Sequence, residues 1–210
     1  MRIFSVILLT CCLSLFISCN NDDDDSTPSF MMEYADLLSN ESGVLTTAIT
    51  DGGEMLNILN PQSGLKADST YRYIIIYLQE QNGIRISMYA RVISDSRRTL
   101  NKPVKTDSVT MQSIWRARHY INLTLKIMRK DKGHAFAFLH QGITTAADGH
   151  KTLNILLYHD SKDDLPAFSN TGYFSCSLAN FTDSLVTGRD SVKFIINEYK
   201  KGPTHYYLPF

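Results

Sequence analysis

The chain has 210 residues, with 21 Lys and Arg against 21 Asp and Glu, so its formal net charge is zero. A balanced charge excludes a protein that relies on a strong positive field, as nucleic-acid binders do. Residues 101–210 hold fourteen basic and nine acidic side chains, an excess too small to alter that reading.

The first eighteen residues read as an export signal. Arg2 opens them, an apolar run extends from Ile3 to Ile17, and Ser18 places a small residue before Cys19. The run is shorter than the roughly 20 apolar residues of a comfortable membrane span. Leu15-Phe16-Ile17-Ser18-Cys19 resembles the bacterial lipobox, although Phe16 stands where Leu is commonest. The resemblance implies cleavage before Cys19, lipid on its sulfur and anchoring to a membrane. The other reading is a plain secretory signal with an incidental cysteine.

Asn20 and Asn21 are followed by four consecutive aspartates, Asp22 to Asp25, whose mutual repulsion keeps them hydrated. Residues 19–29 therefore read as a tether. The acidic run is similar to the export tag of surface lipoproteins in some anaerobic Gram-negative bacteria, which implies an outer-membrane, surface-exposed protein; alternatively it is only a spacer. With Cys11 and Cys12 in the signal and Cys19 lipidated, Cys176 is left alone. Its strand-like surroundings predict a buried, inert thiol.

Beyond the tether the pattern is one of strands. Met32 to Leu38 is a candidate, and Gly43–Thr50 and Met55–Leu59 flank the turn Asp51-Gly52-Gly53. Tyr71–Leu78 is rich in β-branched and aromatic residues. It is followed by Asn82-Gly83, a strong hairpin signal, and by Ile84–Ile93. Five strands suffice for a small closed barrel. The register of the last hairpin decides the role of its tyrosines. A two-residue Asn82-Gly83 turn sets Tyr77 opposite Met88 and Tyr73 opposite Val92, which puts Tyr71, Tyr73 and Tyr77 in a core. A loop one residue longer sets Tyr77 opposite Ser87 and Tyr73 opposite Arg91, which makes an aromatic-basic outer patch.

The strand pattern lapses between Ser94 and Asp107, around Asn101-Lys102-Pro103, as expected of a linker. Seven short strands follow: Val109–Ile114, Tyr120–Met128, Ala135–His140, Leu153–Tyr158, Tyr173–Leu178, Val192–Tyr199 and His205–Leu208. Seven strands with polar turns predict a β-sandwich.

The stretch from Asp107 through Val109, Met111 and Ile114 to Trp115, followed by Tyr120–Leu125, resembles the opening of the C-terminal domain in NigD-like proteins. The segment from Asp190 to Ile196 is similar to a late strand of that family, and the Asp51-Gly52 hairpin resembles its barrel. The resemblance implies a lipoprotein in which an OB-type barrel precedes a β-sandwich. The expected fold is thus all-β: a signal over 1–18, a five-stranded OB-like barrel over 30–96, a linker over 97–106 and a seven-stranded Ig-like sandwich over 107–210. The family takes its name from a gene beside a bacteriocin, which makes immunity an alternative function.

No Gly-x-Ser-x-Gly or His-Glu-x-x-His sequence occurs, and no carboxylate pair marks a cleft. Asp163 and Asp164 read as part of a polar loop. The six histidines (His119, His134, His140, His150, His159, His205) lack metal-like spacing, though His140 and His159 could approach across strands. Gly52-Gly53 precedes no helix and reads as a turn rather than a phosphate loop. No enzymatic activity, metal or cofactor is expected.

Two surfaces remain as candidate binding faces. One is the basic set Arg116, Arg118, Lys126, Arg129, Lys130 and Lys132 on the first hairpin of the second domain, which would suit an acidic partner or simply form a solvated tip that blocks edge pairing. The other is the face carrying Tyr73 and Tyr77. The expected partners are a membrane, through the lipid on Cys19, and an extracellular glycan, peptide or protein.

Overall fold

The computed structural model describes residues 29–100 and 102–210. Cys19 and the run Asp22–Asp25 lie outside the described residues. The first sheet comprises β1 (Phe30–Ser39), β2 (Leu45–Thr50), β3 (Met55–Asn57), β4 (Thr70–Glu80) and β5 (Gly83–Arg91). Its order is β3-β2-β1-β4-β5. Just past β3, Ile58 lies parallel to Ile84 of β5, and Leu59 N–H donates to the Ile84 carbonyl at 2.9 Å. The sheet thereby curls onto itself in the manner of an OB-like barrel.

Strand alternation decides what fills it. Ala35, Leu37, Ala48, Ile75, Tyr77 and Ile84 point inward and are buried, whereas Tyr34, Asp36, Arg72 and Ile74 belong to the opposite face. Ile74 and Ile75 are both buried because β4 is covered on its two sides. A strand with two covered faces is expected to carry a continuous apolar run, as 74–76 do.

The β4–β5 hairpin follows neither expected register throughout. Its turn is Gln81-Asn82, since Gly83 already pairs with Glu80. Tyr77 pairs with Ile86, and a bulge then inserts Ser87, after which Tyr73 pairs with Arg91. The bulge reverses the alternation of β5, bringing Tyr89 to the tyrosine side, where its ring meets Tyr73 edge-on at 5.3 Å. Gly83 has φ +151°, and a Cβ there would lie 2.3 Å from the Asn57 carbonyl oxygen, so the closure of the barrel requires glycine.

The second unit has β6 (Ser96–Arg97), β7 (Thr110–Ala117), β8 (Tyr120–Arg129), β9 (Ala135–Thr145), β10 (Lys151–Asp160), β11 (Phe168–Ser177), β12 (Ser191–Glu198) and β13 (Gly202–Pro209). They form a sheet β13-β12-β10-β9-β6 facing a sheet β11-β8-β7. Phe138, Phe174 and Phe194 interleave with Ile121, Leu123, Leu125, Leu153 and Ile155 between them. Burial of each such side chain stabilises the fold by about 1.5–3 kcal/mol. The seven long strands fall where the sequence pattern puts them. The eighth, β6, starts at the edge of the segment read as a linker. Ser96 and Arg97 pair in parallel with Phe138 and Leu139, and His159 pairs with Thr106. That segment is stitched to the sandwich through its backbone, which a side-chain pattern does not register.

Candidate functional site

The two units meet over a buried polar network centred on Arg72. Its Nη2–H donates to Asp51 Oδ1 at 2.5 Å and to Asn122 Oδ1 at 3.2 Å, and its Nε–H donates to Ser175 Oγ at 3.1 Å. Nη1 lies 3.4 Å from Asp36 Oδ1, whose other oxygen is 3.8 Å from Arg118. Asn122 Nδ2–H donates to Asp51 Oδ2 at 2.5 Å, and Ser175 O–H to Asn122 Oδ1 at 2.7 Å. The guanidinium also lies 4.0 Å from the centre of the Tyr120 ring. Two arginines thus face two aspartates, and Arg72 is only 6% exposed. Burial, reinforced by the Asp36 carboxylate, pushes the Tyr120 phenol up to about 12.

Beside this network the junction is aromatic. Tyr34, Ile74 and Val92 of the barrel side pack against Trp115 of β7 and Tyr173 of β11. Tyr34 meets Trp115 edge-on at 5.4 Å and Tyr173 at 6.4 Å. Its hydroxyl donates to the Leu123 carbonyl at 3.0 Å, and burial holds its pKa near about 12. These rings, with Met32, Ile74, Thr124 and the acidic residues Glu33 and Asp51, border an open cleft of about 260 Å³. That is less than the range of roughly 300–1,000 Å³ usual for a small-molecule pocket, so it suits one ring or side chain of a larger ligand. Met32 pairs with Ile76, which pairs with Met88, and both methionines are more than half exposed. An apolar rim therefore runs outward from the cleft along the barrel.

The structure scatters the residues singled out in the sequence. Tyr77 is 2% exposed inside the barrel and hydrogen-bonds Glu33, so it belongs to the core rather than to a binding face. Tyr73 is half-buried against the same core. The basic set does not form one patch. Arg116 and Arg118 sit at the β7–β8 turn, and Arg129 is at the far end of β8, roughly 30 Å along the strand. Arg118 faces Asp36, and the Arg116 Nε and one Nη are buried without a protein partner. Burial lowers the Arg116 pKa. Lys126 projects from mid-β8, while Lys132 Nζ donates to the Lys162 and Asp163 carbonyls.

The loop read as merely polar contains a structural carboxylate. Asp164 accepts from the Lys130 and Asp131 amides at 2.7 and 3.2 Å and lies 3.3 Å from His134 Nε2. Burial alone would raise its pKa, yet these donors hold it well below the usual carboxylate range. His134 Nδ1 is 2.9 Å from His159 Nε2, and His159 Nδ1 donates to the Asp107 carbonyl at 2.8 Å. His159 stacks on Phe136 at 4.3 Å. Burial, aided by His134, keeps His159 below the ordinary imidazole range. Every ring nitrogen of this pair has a partner, so the pair ties loops together. Among the described residues no group of three or more His, Cys, Asp or Glu side chains could hold a metal ion.

Sequence pattern missed Arg72 and Tyr34. The available signal was a charge alternating with aromatics in Tyr71-Arg72-Tyr73, and Asn122 between Ile121 and Leu123. Both mark strand faces covered by something polar.

Residues 91–210 match the NigD-like C-terminal β-sandwich domain. The chain belongs to the NigD-like family. Similar solved structures cover both units. A NigD-like immunity protein from Bacteroides caccae is 24% identical, with a TM-score of 0.67 over 86% of this chain and 92% of that one. A structure described as that of a toxin-related protein from Parabacteroides distasonis is 16% identical, with a TM-score of 0.64 over 87% and 93%. A protein of unknown function from Bacteroides vulgatus is 15% identical, with a TM-score of 0.65 over 87% and 91%. At these identities the likeness concerns the fold. No curated protein matches the chain.

Proposed function

We propose that this NigD-like chain is a non-enzymatic binding or accessory module of the bacterial envelope, engaging an extracellular glycan, peptide or protein at the junction of its two units. The observation that carries this reading is the convergence of Tyr34, Trp115 and Tyr173 on a preformed cleft with an exposed apolar rim. Aromatic anchors in a ready-made recess are the usual centres of binding energy. Of the two acidic residues in its wall, Asp51 is engaged by Arg72 and Asn122 and Glu33 accepts from the Tyr77 hydroxyl, so the ligand contributes a flat apolar face. The Arg72 network holds the two walls in place before binding, which lowers the ordering cost.

The lipid on Cys19 would tether this site at the outer surface of the outer membrane. Labelling with a fatty acid that is lost in Cys19→Ala, together with cleavage by external protease on intact cells, tests that placement.

Trp115 is the only tryptophan, so its emission reports on the cleft. Titration with soluble glycans and peptides should give a saturable emission change for one ligand class, abolished in Tyr173→Ala. A ligand bound equally well by Trp115→Ala would remove the cleft from the proposal.

Protection of the cell against a bacteriocin is the second reading, favoured by the structural likeness to a NigD-like immunity protein. Toxin sensitivity of a deletion strain, restored by the chain, would support it.

A further inference from the structure

Between β9 and the turn that follows β11 the sandwich holds a second recess whose chemistry differs. It starts from a bulge in β9: His140 pairs with Ile155 and Gly142 with Asn154, which leaves Gln141 as an extra residue. Gly142 takes φ +99° there. Bulges of this kind re-aim side chains and are common beside binding sites. His140 shares the core-facing side of β9 with the fully buried Phe138, and its ring meets Phe181 edge-on at 4.8 Å. A histidine in such a position ordinarily has partners for its nitrogens. Here Nε2 is buried and has none.

The parallel pairing of β6 with β9 adds the second component. Ser96 is level with Phe138 and Arg97 with Leu139, and Arg98, in the bend that ends β6, follows on the His140 side. Both residues line an open cavity of about 310 Å³, together with Asn180, Ser184, Phe181 and Leu153. No carboxylate lines it, and among the described residues Arg98 joins no ion pair. Lys151 Nζ, 3.0 Å from the Ser184 carbonyl, adds another cation nearby. The recess therefore offers a planar guanidinium fork, an unpaired imidazole nitrogen, an amide and a hydroxyl, with no negative group among them.

We infer that this cavity is a binding site for a carboxylate group, held by Arg98 and His140 and separate from the aromatic cleft. A carboxylate accepts two parallel N–H bonds from a guanidinium, and its single negative charge matches the one guanidinium that lines the cavity. It would also supply the acceptor that His140 lacks. Burial, followed by the repulsion of Arg98, holds the His140 pKa below the ordinary value, and a bound anion would reverse that repulsion.

The test is an NMR titration of the full chain in detergent, following the His140 Cε1–H resonance with sodium acetate and, separately, inorganic phosphate. Acetate should shift that resonance saturably and raise the His140 titration midpoint, leaving the His205 resonance in place. Arg98→Gln, a change at an exposed residue, should weaken acetate binding by roughly tenfold or more. His140→Gln, which keeps one donor, should bind acetate without any pH dependence near neutrality. Non-saturating shifts, equal affinity in Arg98→Gln, or saturation by phosphate but not by acetate would overturn the assignment.

Discussion

Arg72 on β4 of the barrel donates its Nε–H to Ser175 Oγ on β11 of the sandwich at 3.1 Å. Through this bond and its neighbours one guanidinium serves both units, with Asp36 and Asp51 on the barrel side and Asn122 on the sandwich side. The junction is accordingly a packed interface with its own polar centre, and the aromatic cleft is formed at its edge.

Removing Arg72 would take from the covered Asp51 its arginine and leave Asp36 only the longer contact with Arg118. Arg72→Met should destabilise the protein by about 3–5 kcal/mol, the cost of breaking a buried pair by deleting one partner. Arg72→Lys should recover only part of this, since an ammonium cannot reach Asp51, Asn122 and Ser175 together. Urea unfolding followed by Trp115 emission measures both.

Gly83→Ala should cost more than about 1 kcal/mol, because it combines an unfavourable φ with a contact on the Asn57 backbone at the barrel closure. Gly188→Ala, with φ +76° and open space around the added carbon, should cost less. Thermal unfolding of the two variants gives the comparison.

Stability should fall with acid in two windows. His140 and His159 have folded pKa values below their ordinary 6.5, so the unfolded chain binds more protons there. Their contribution is complete above about pH 7 and declines as the pH drops through about 6.5. Asp164 and Asp190 are depressed well below the usual carboxylate range, Asp164 by backbone amides and His134, Asp190 chiefly by Arg189. Their contribution is present above about pH 4 and is lost as the pH falls through their folded values. Unfolding free energy measured against pH should show both declines. His159→Gln should flatten the first, and Asp164→Asn the second.

Cys176 is fully buried, and burial pushes its thiol up to about 12. Its reaction with a thiol reagent should therefore follow the unfolding equilibrium as urea is added. Fast labelling of the native protein would contradict its burial.

Much of the fold was legible because strand burial leaves a period-two trace. Val192–Tyr199 is readable for that reason, whereas Tyr71–Leu78, covered on both faces, and the strand-like setting of Cys176 are readable from their β-branched and aromatic neighbours. The hairpin register was not, because Ser87 bulges out and changes the face of every residue after it. Strand β6 was invisible because its two residues pair by backbone while their side chains stay exposed. The site was harder still. Tyr34, Trp115 and Tyr173 lie in three strands separated by about eighty and sixty residues, and only the docking of barrel on sandwich unites them. The same applies to Arg98 and His140, which the pairing of β6 with β9 brings to one cavity.

In the proposed function a ligand meets this protein at the cleft edge by Trp115 and Met32. Site-specific photo-crosslinking on intact cells tests it most directly, with the photoreactive residue placed at Met32 and, as a control, at the exposed Met128 on β8. A discrete adduct formed from position 32, absent from position 128 and lost when Tyr173→Ala is added, is the predicted result. The same adducts from both positions, or an adduct from position 128 alone, would contradict it.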